Sequence, residues 1–392
     1  MPSRKSEASS PKPKEELLDR ARALVAPLRE RALETEKLRR IPDETISDFR
    51  TSGLLQAGNP VRYGGYPGID YDSLFPVIME LARGCGSAAW CYAVWSVHNW
   101  MLGFFPFQAQ EEYFATGPTT LCSSSYDPTK GKAKRVAGGS RISGHWDFSS
   151  GCDAATWVML GAFTADGPRM FLLPKDQCQV IDTWFVSGLG GTGSNDIVAE
   201  DIFVPEHRVL DANAAGSTDM SAWELHKQTS YRVPLRVTLG WELIAPVVGL
   251  GDAAIEDFVK RIRGTGGRAR SAEGVQMQIR LAEAGVEVHT ARLLHRSTVA
   301  EFMAKGERGE AFSALERARY VRDKSFVVQL CMQAINRLFD VSGGRALYRS
   351  QEIQRVHRDA HALSHRDGFI LDFAGEAWGK EMLTTDAPTT KI

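Results

Sequence analysis

Two stretches of helical periodicity flank a middle region that favours strands, and this order constrains the fold more than any other feature of the 392-residue chain. In residues 15–115 and again in 213–392, apolar side chains recur every three or four positions. Between residues 116 and 212, short β-prone runs such as "TWVMLGAF" alternate with turn sequences such as "ADG". The pattern predicts a mostly α protein with a central β-domain, which is a small barrel or a sandwich.

The two ends of the chain differ in composition. Residues 1–14 are polar and lack the apolar core of a signal sequence, so they are predicted to form a disordered tail. In the C-terminal region, the pieces beginning "SAEGVQMQIR" and "SALERARYVR" each approach thirty residues of helical pattern. Long helices that follow one another in sequence predict an antiparallel bundle.

Composition narrows the class of protein. The formal net charge is −1, which gives no overall attraction to nucleic acid or to an anionic membrane. The six cysteines include no C-x-x-C pair, and a chain of this size does not need disulfides to fold. A reduced, cytoplasmic protein is therefore expected.

The most apolar run extends from Ala88 to Phe107 and is long enough to suggest a membrane span. His98, Asn99 and Pro106 interrupt it, and its tryptophans are spread along it rather than gathered at its ends. These features favour a buried helix of a globular protein.

The stretch "SGLGGTGS" fits the dinucleotide-binding pattern G-x-G-x-x-G at Gly188, Gly190 and Gly193. That site needs a helix after the glycines, because the pyrophosphate binds at a helix N-terminus. The following residues, "NDIVAEDIFVP", are instead rich in β-branched and aromatic side chains. The glycines are therefore predicted to form a tight connection between two strands.

Four separate segments carry a resemblance to a known family. They are "LARGCGSAAWCYAVWSVHNW", "ISGHWDFSSGCDAATWVMLGA", "DTWFVSGLGGTGSNDIVAEDIFVPEHRV" and "LFDVSGGRALYRSQEIQRVHRDAHALSH". In this order they resemble segments of the oxygenase components of two-component flavin monooxygenases, whose substrates include p-hydroxyphenylacetate, seco-steroid phenols and indoles. The resemblance covers roughly residues 15–385 and implies the acyl-CoA dehydrogenase fold: an N-terminal helical domain, a small β-barrel and a C-terminal four-helix bundle.

The resemblance also implies a reaction. Reduced FAD, or alternatively reduced FMN, would come from a separate NAD(P)H:flavin reductase, since no reductase domain is visible in the chain. O2 would add at flavin C4a to give a hydroperoxide that hydroxylates a small aromatic substrate of phenol or indole type. The family's habit implies a homotetramer.

Two alternatives within the fold stay open. An acyl-CoA dehydrogenase needs a carboxylate base, commonly in a C-terminal Tyr-Glu-Gly-Thr loop, and "RDGFILDFAGEAWGKEML" has no such loop. Glu376 is the nearest carboxylate, but it lies well past the loop position. The other alternative is an N- or S-oxygenase, which would not need to take a proton from a phenol.

The resemblance assigns substrate-side residues. It places an active-site imidazole at His98. With an ordinary pKa of ~6.5, this imidazole could bind the substrate or remove a proton from it. Ser123 and Ser124, in "LCSSSYDP", lie in a loop expected to touch flavin or substrate. Trp95 is expected to line a pocket for flat rings, although buried tryptophans more commonly serve only the core.

Other candidates concern the flavin. Ser149 and Ser150 are expected to contact the flavin ring, where a hydroxyl can hydrogen-bond N5, unless they only form a Ser-Ser-Gly turn. Trp146 is expected either to pack along the ring or to belong to the β-domain core. His365 is expected near flavin and substrate, whereas His361 should face solvent or a subunit contact.

Phosphate contacts complete the set. Arg268 or Arg270, in "GGRARSAEG", could pair with flavin phosphate, although an exposed basic turn explains them almost equally well. Gly343 and Gly344 lie in "SGGRALY", a segment that resembles one reaching a neighbouring subunit's flavin. No metal is expected, because Arg358 and Arg366 bracket His361 and His365, which are spaced four apart, and no H-E-x-x-H motif occurs.

Overall fold

A computed structural model describes residues 13–264 and 272–384. The first helix begins at Pro13, so residues 13 and 14, which were predicted to lie in the tail, are helical, and residues 1–12 lie outside the described part. The predicted order of helices, strands and helices is confirmed. The N-terminal helices are α1 Pro13–Leu38, α2 Asp43–Thr51, α3 Leu74–Ala82, α4 Gly86–Met101 and α5 Phe107–Phe114.

Helix α4 is the centre of the N-terminal region. Every residue from Gly86 to Met101 is buried, which confirms the prediction of a buried helix for this apolar run. It packs against α3, the later helix Trp241–Gly264, the strand Cys122–Ser125 and the glycine-rich loop at Gly190–Thr192. Its position between the helical and the β regions explains why it is apolar on all sides.

The middle region forms one eight-stranded sheet in the order β6-β7-β3-β2-β4-β5-β8, with β1 parallel to β4. Side chains of β3 and β7 pack with those of β4 and β5, so the sheet encloses a small core of its own, separate from the main core. This is the predicted small β-domain. The strands are β1 Cys122–Ser125, β2 Gly131–Val136, β3 Gly139–Ser149, β4 Trp157–Thr164, β5 Gly167–Pro174, β6 Gln179–Ile181, β7 Asn195–Pro205 and β8 Val209–Leu210.

The glycine motif connects two strands, as predicted. Gly190–Thr192 forms a single 3-10 turn between β6 and β7, and strand β7 follows where a dinucleotide site would need a helix. Gly188 packs so closely on the last part of the chain that a Cβ there would overlap the carbonyl oxygen of Arg358. The glycine at that position therefore permits close packing rather than phosphate binding.

The C-terminal region is a helical bundle. Helix α10 packs against α8, α9, α11 and α12, while α8 also packs on α3 and α4. Ser313 and Glu316 form a capping box at the start of α10, which satisfies backbone N–H groups of its first turn. The helices are α6 Ser221–His226, α7 Leu235–Thr238, α8 Trp241–Gly264, α9 Ala272–Arg308, α10 Ala314–Asp340, α11 Glu352–Ser364 and α12 Leu371–Thr384.

One apolar stretch, Leu235–Gly264, is long and hydrophobic enough to cross a membrane by composition alone. Within it, 78% of the most apolar window is buried inside the protein. Its apolar side chains therefore serve the core between the bundle and the N-terminal helices.

Candidate active site

His98 lies in the last turn of α4, and its imidazole is buried. Its Nδ1 is 2.7 Å from the carbonyl oxygen of Cys122, and its Nε2 is 2.9 Å from the hydroxyl oxygen of Ser124. Because a carbonyl oxygen only accepts hydrogen bonds, Nδ1 carries the proton and Nε2 accepts from Ser124. These two partners fix the tautomer and the orientation of the ring.

The surroundings of His98 change its acidity. Burial lowers the pKa of His98 to about 4, because the charged imidazolium loses its hydration. The expectation of an ordinary pKa at this position is therefore wrong. At neutral pH the ring is uncharged and acts as a hydrogen-bond acceptor through Nε2.

The end of β1 forms the wall opposite this ring. Ser124 is the serine of "LCSSS" that contacts His98, whereas the hydroxyl of Ser123 is buried and has no partner among the described residues. The ring of Tyr126 meets His98 edge-on with centroids 5.6 Å apart, and its hydroxyl donates to the sulfur of Met101 at 3.4 Å. A hydroxyl, an imidazole and an aromatic edge thus converge between α4 and the β-domain.

A second polar group lies where β3 ends. The backbone of Phe148 is left-handed, with φ of 66°, and the pairing of β3 with β7 is irregular between Trp146 and Ser149. This bulge exposes 64% of Phe148 and turns the hydroxyl of Ser149 inward. The Ser149 hydroxyl is buried and has no partner among the described residues.

The hydroxyl of Ser150 belongs to a chain of hydrogen bonds. The indole N–H of Trp90 donates to it at 2.9 Å, and it lies 2.7 Å from the hydroxyl of Ser194. Ser194 lies 2.7 Å from the hydroxyl of Thr192, which donates to the carbonyl oxygen of Leu189 at 2.8 Å. Since the indole only donates and the carbonyl only accepts, each hydroxyl proton points toward Leu189. The Ser150 proton is therefore committed to Ser194.

Both candidate tryptophans, for which a place in the core was the alternative to a ligand contact, are buried in the structure. Trp95, expected to line the substrate pocket, is 1% exposed, and its indole N–H donates to the carbonyl oxygen of Gly151 at 3.3 Å. Trp146, expected on the flavin ring or in the core, is fully buried inside the sheet and donates to the carbonyl oxygen of Gly161 at 2.7 Å. Both rings pack inside the protein because burial of a large apolar surface is favourable and each N–H has an internal acceptor.

The histidines of α11 are arranged in a row. His357 stacks on Phe339 with centroids 4.2 Å apart, and His361 accepts or donates a hydrogen bond with Asn336 at 2.9 Å, so both are partly buried. That His357 and His361 face solvent or a subunit contact stays a prediction. His365 is exposed where the helix ends, and its Nδ1 lies 2.7 Å from the carbonyl oxygen of His361. Its proximity to flavin and substrate stays a prediction.

Of the residues predicted to contact the flavin phosphate, the structure describes the two glycines but not the two arginines. Arg268 and Arg270 lie outside the described residues. Gly343 has a φ of 71°, and a Cβ on it or on Gly344 would meet nothing within 4 Å. The backbone of this segment is thus open to a group from outside the chain.

Sequence reasoning did not identify the buried carboxylate of Glu242. Glu242, at the start of α8, accepts hydrogen bonds from the hydroxyl of Tyr71 at 2.9 Å and from the backbone N–H of Gly240 at 2.9 Å. Burial raises the pKa of Glu242. A glutamate at the start of the apolar run "WELIAPVVGLG" is a detectable signal, since such a residue is seldom fully buried without partners.

Glu376, the carboxylate considered for a dehydrogenase, is exposed.

An aromatic pair beside Ser149 was also missed. The rings of Phe148 and Trp184 meet at a right angle, with centroids 6.0 Å apart. The indole N–H of Trp184 donates to the carbonyl oxygen of Leu189 at 3.0 Å, which leaves the ring face beside the turn. No local sequence pattern indicates this pair, because the two residues meet through tertiary folding.

Across residues 13–264 and 272–384, no cluster of histidine, cysteine, aspartate and glutamate could hold a metal.

Comparison with known families agrees with this architecture. The acyl-CoA dehydrogenase N-terminal domain model matches residues 12–116, and the corresponding C-terminal domain model matches residues 243–367. The predicted fold class, an acyl-CoA dehydrogenase-like protein, is confirmed.

Full-length relatives narrow the class further. The chain is 35% identical over 354 residues to the oxygenase subunit HsaA of a flavin-dependent monooxygenase from Rhodococcus jostii, covering 88% of this chain and 92% of that protein. It is 33% identical over 390 residues to the oxygenase component of an FADH(2)-dependent resorcinol hydroxylase from a Rhizobium strain, covering 95% of each. The crystal structure of the 3-HSA hydroxylase from Rhodococcus sp. RHA1 superposes with a TM-score of 0.89 at 34% identity, over 96% of this chain and 99% of that one. The chain belongs to the oxygenase components of flavin-dependent monooxygenases.

Proposed function

We propose that this protein uses reduced flavin and O2 to hydroxylate an aromatic ring that carries a hydroxyl or a ring N–H. The observation that carries the proposal is the hydrogen-bonded pair of half-buried Ser124 and buried His98. Because the Ser124 proton is directed to Nε2 of His98, the Ser124 oxygen offers its lone pairs to a donor on the substrate. The edge of Tyr126 beside this pair suits a flat aromatic guest.

The flavin contact is assigned to Ser149. Its buried hydroxyl without a partner among the described residues fits a group that brings its own hydrogen-bonding atoms, whereas the proton of Ser150 is already committed. Phe148 and Trp184 would flank the ring. Gly343 and Gly344, together with Arg268 or Arg270, remain the proposed phosphate contacts, across a subunit boundary in the case of the glycines. The proposed cofactor is reduced FAD, with reduced FMN as the alternative.

When bound, reduced flavin supplies the two electrons with which O2 is divided between a new ring hydroxyl and water. The residues of this chain handle the substrate and its proton. A substrate hydroxyl that donates to Oγ of Ser124 shifts electron density toward the ring, because Ser124 in turn donates to Nε2 of His98. The buried, apolar α4 keeps bulk water away from this side of the site.

The proposed partners follow from the oxygenase subunit names of the relatives. A separate NAD(P)H:flavin reductase supplies the reduced flavin, and the pair acts in the cytoplasm, in keeping with six cysteines that form no disulfide. A homotetramer is proposed because large apolar side chains are exposed on the bundle. Leu347 is 71% exposed and Tyr348 is 66% exposed, in the same segment as Gly343 and Gly344, and Val286 and Leu293 are exposed on α9.

The experiment combines the purified protein with a flavin reductase, NAD(P)H, and FAD or FMN. The test compounds are phenols, indoles and the corresponding methyl ethers, together with amines, sulfides and an acyl-CoA. We expect a hydroxylated product from a phenol or an indole, with one O2 consumed per product, and at least tenfold lower kcat/KM for the methyl ether. Absence of product from the whole panel, with reduction of bound flavin by an acyl-CoA instead, would favour a dehydrogenase. Oxidation of an amine or sulfide that survives His98→Ala would favour an N- or S-oxygenase.

The oligomeric state has its own test. Light scattering after size-exclusion chromatography should give four times the chain mass of 43.2 kDa. Replacing exposed Val286 and Leu293 with lysine should shift the protein to smaller species without unfolding it, because charge on an apolar contact prevents association. A monomeric wild-type protein would contradict the proposal.

A further inference from the structure

Asp359 on α11 lies where three parts of the molecule meet. It is 4% exposed, and its Oδ1 accepts a hydrogen bond from the backbone N–H of Leu189 at 2.7 Å. Its Oδ2 lies 3.0 Å from the place that a Cβ on Gly86 would occupy, so the carboxylate borders the first turn of α4. The positive end of that helix favours a negative charge there. One side chain of the bundle thus contacts both the glycine-rich loop and the helix that carries His98.

The residue that Asp359 holds is conformationally unusual. Leu189 has a φ of 52°, in the left-handed region that residues with a Cβ seldom adopt. Its carbonyl oxygen accepts from Thr192 at 2.8 Å and from Trp184 at 3.0 Å. A charge-assisted hydrogen bond to the N–H of such a residue stabilises a backbone conformation that would otherwise relax.

The loop is also clamped on its other side. The guanidinium of Arg358 donates to the carbonyl oxygen of Ser187 at 2.5 Å and to the carboxylate of Glu36 at 2.7 Å. Gly188 lies directly against the backbone of Arg358. Consecutive residues of α11 therefore fix the start of the loop, with Arg358 holding Ser187 and Asp359 holding Leu189.

From Leu189 the hydrogen bonds continue to the turn at the end of β3. They pass from the Leu189 carbonyl through Thr192 and Ser194 to Ser150, and the backbone N–H of Gly151 donates to the carbonyl oxygen of Thr192 at 2.8 Å. Ser149, the residue before Ser150, carries the proposed flavin contact. The position of its hydroxyl therefore depends on a chain of contacts that begins in the bundle.

We infer that Asp359 is a positioning residue for the flavin: by holding Leu189, it fixes the glycine-rich loop and, through Thr192 and Ser194, the turn that presents Ser149. This inference rests on the proposed function, since it takes Ser149 as a flavin contact. It gives the glycine motif a role: the motif supports the turn that carries Ser149 and does not itself bind a nicotinamide dinucleotide.

The test measures binding of reduced FAD by anaerobic equilibrium dialysis, and hydrogen exchange of the loop. Asp359→Ala should weaken flavin binding about tenfold, the effect of losing one charge-assisted hydrogen bond, and should speed exchange in residues 187–194. Asp359→Asn keeps an oxygen acceptor for Leu189 and should stay within about twofold of wild type. Asp252→Ala removes another carboxylate of the bundle, one paired with Arg292, and should destabilise the fold without changing flavin binding.

The outcomes separate the two proposals. If Ser149→Ala weakens flavin binding and Asp359→Ala does not, the inference is overturned and the proposed flavin site stands. If Ser149→Ala has no effect, the proposed flavin site itself fails. Should Asp359→Ala not fold, Ser194→Ala cuts the same chain nearer to Ser150 and should weaken flavin binding severalfold. Equal losses for Asp359→Asn and Asp359→Ala would overturn the role of the hydrogen bond to Leu189.

Discussion

Ser149 and Ser150 are neighbours in the chain, but within the described residues only the hydroxyl of Ser150 is hydrogen-bonded. Ser150 accepts from Trp90 and donates to Ser194, whereas the Ser149 hydroxyl is buried without a partner. The two serines should therefore respond oppositely to removal of the hydroxyl. In the proposed function the first hydroxyl binds the flavin, whereas the second is already used within the protein.

Ser149→Ala should weaken binding of reduced flavin about tenfold and leave the free energy of unfolding unchanged or slightly higher, because it removes a buried polar group that the free protein does not satisfy. Ser150→Ala should lower the free energy of unfolding by about 1–3 kcal/mol, because the buried indole N–H of Trp90 loses its acceptor. Urea denaturation of the flavin-free protein, paired with flavin dialysis, checks both. Destabilisation by Ser149→Ala would show that its hydroxyl has a structural partner.

Substrate recognition should depend on Ser124. Ser124→Ala should lower kcat/KM for a phenol roughly tenfold, because one hydrogen bond to the substrate and the link to His98 are lost together. The methyl ether of the same phenol, which cannot donate to Ser124, should be affected less than twofold. Ser125→Ala, on the next residue of β1, is the matched control and should change neither value. An equal loss for phenol and ether would place the role of Ser124 in folding.

The contribution of the buried histidines to stability should fall as the solution becomes acidic. Burial lowers the pKa of both His98 and His295 to about 4, below the value of ~6.5 in an unfolded chain. The folded state thus binds fewer protons, so this stability is complete above pH 6.5 and is lost as the pH falls toward 4. Between pH 7 and pH 5, each histidine should lower the free energy of unfolding by about 2 kcal/mol.

This prediction is checked by urea unfolding of the wild type and of His295→Gln at the two pH values. Gln keeps an N–H that can donate to the carbonyl oxygen of Trp241, as the Nε2 of His295 does at 3.3 Å, but it does not titrate. The variant should lose less stability than the wild type on acidification. Identical pH dependence of the two proteins would mean that His295 does not titrate as its burial requires.

The glycine-rich loop should tolerate no side chain where it meets α11. Gly188→Ala places a Cβ against the carbonyl oxygen of Arg358, which is rigid helix backbone, so we expect a loss of about 2–3 kcal/mol in the free energy of unfolding. Flavin binding should weaken as well, because the loop supports the turn at Ser149. Gly375→Ala, on α12 with open space around it, is the control and should not destabilise the protein. A stable Gly188→Ala variant would contradict the close packing of the loop.

Local sequence patterns were sufficient to predict the order and the type of the secondary-structure elements. Periodicity predicted the helix–sheet–helix order and the long helices α9 and α10, and the β-branched residues after Gly193 correctly predicted a strand where a nicotinamide-dinucleotide turn would need a helix. The interrupted apolar run around His98 was correctly predicted to be a buried helix. These features depend on side chains close together in sequence, which set periodicity, turn formation and burial of a face.

Which atoms meet was decided by the tertiary structure. Trp90 and Ser150 are 60 residues apart, and Leu189 and Asp359 are 170 apart, so no local pattern relates them. The same holds for the pKa of His98, which depends on how completely other segments enclose it. The sequence by itself determined the elements and their order, because those follow from short-range preferences, and four of its segments indicated the family by resemblance. Only the packed fold decided which serine is free for a ligand, which tryptophans are core and what holds the turn, because hydrogen-bond partners and desolvation are set by contacts between distant segments.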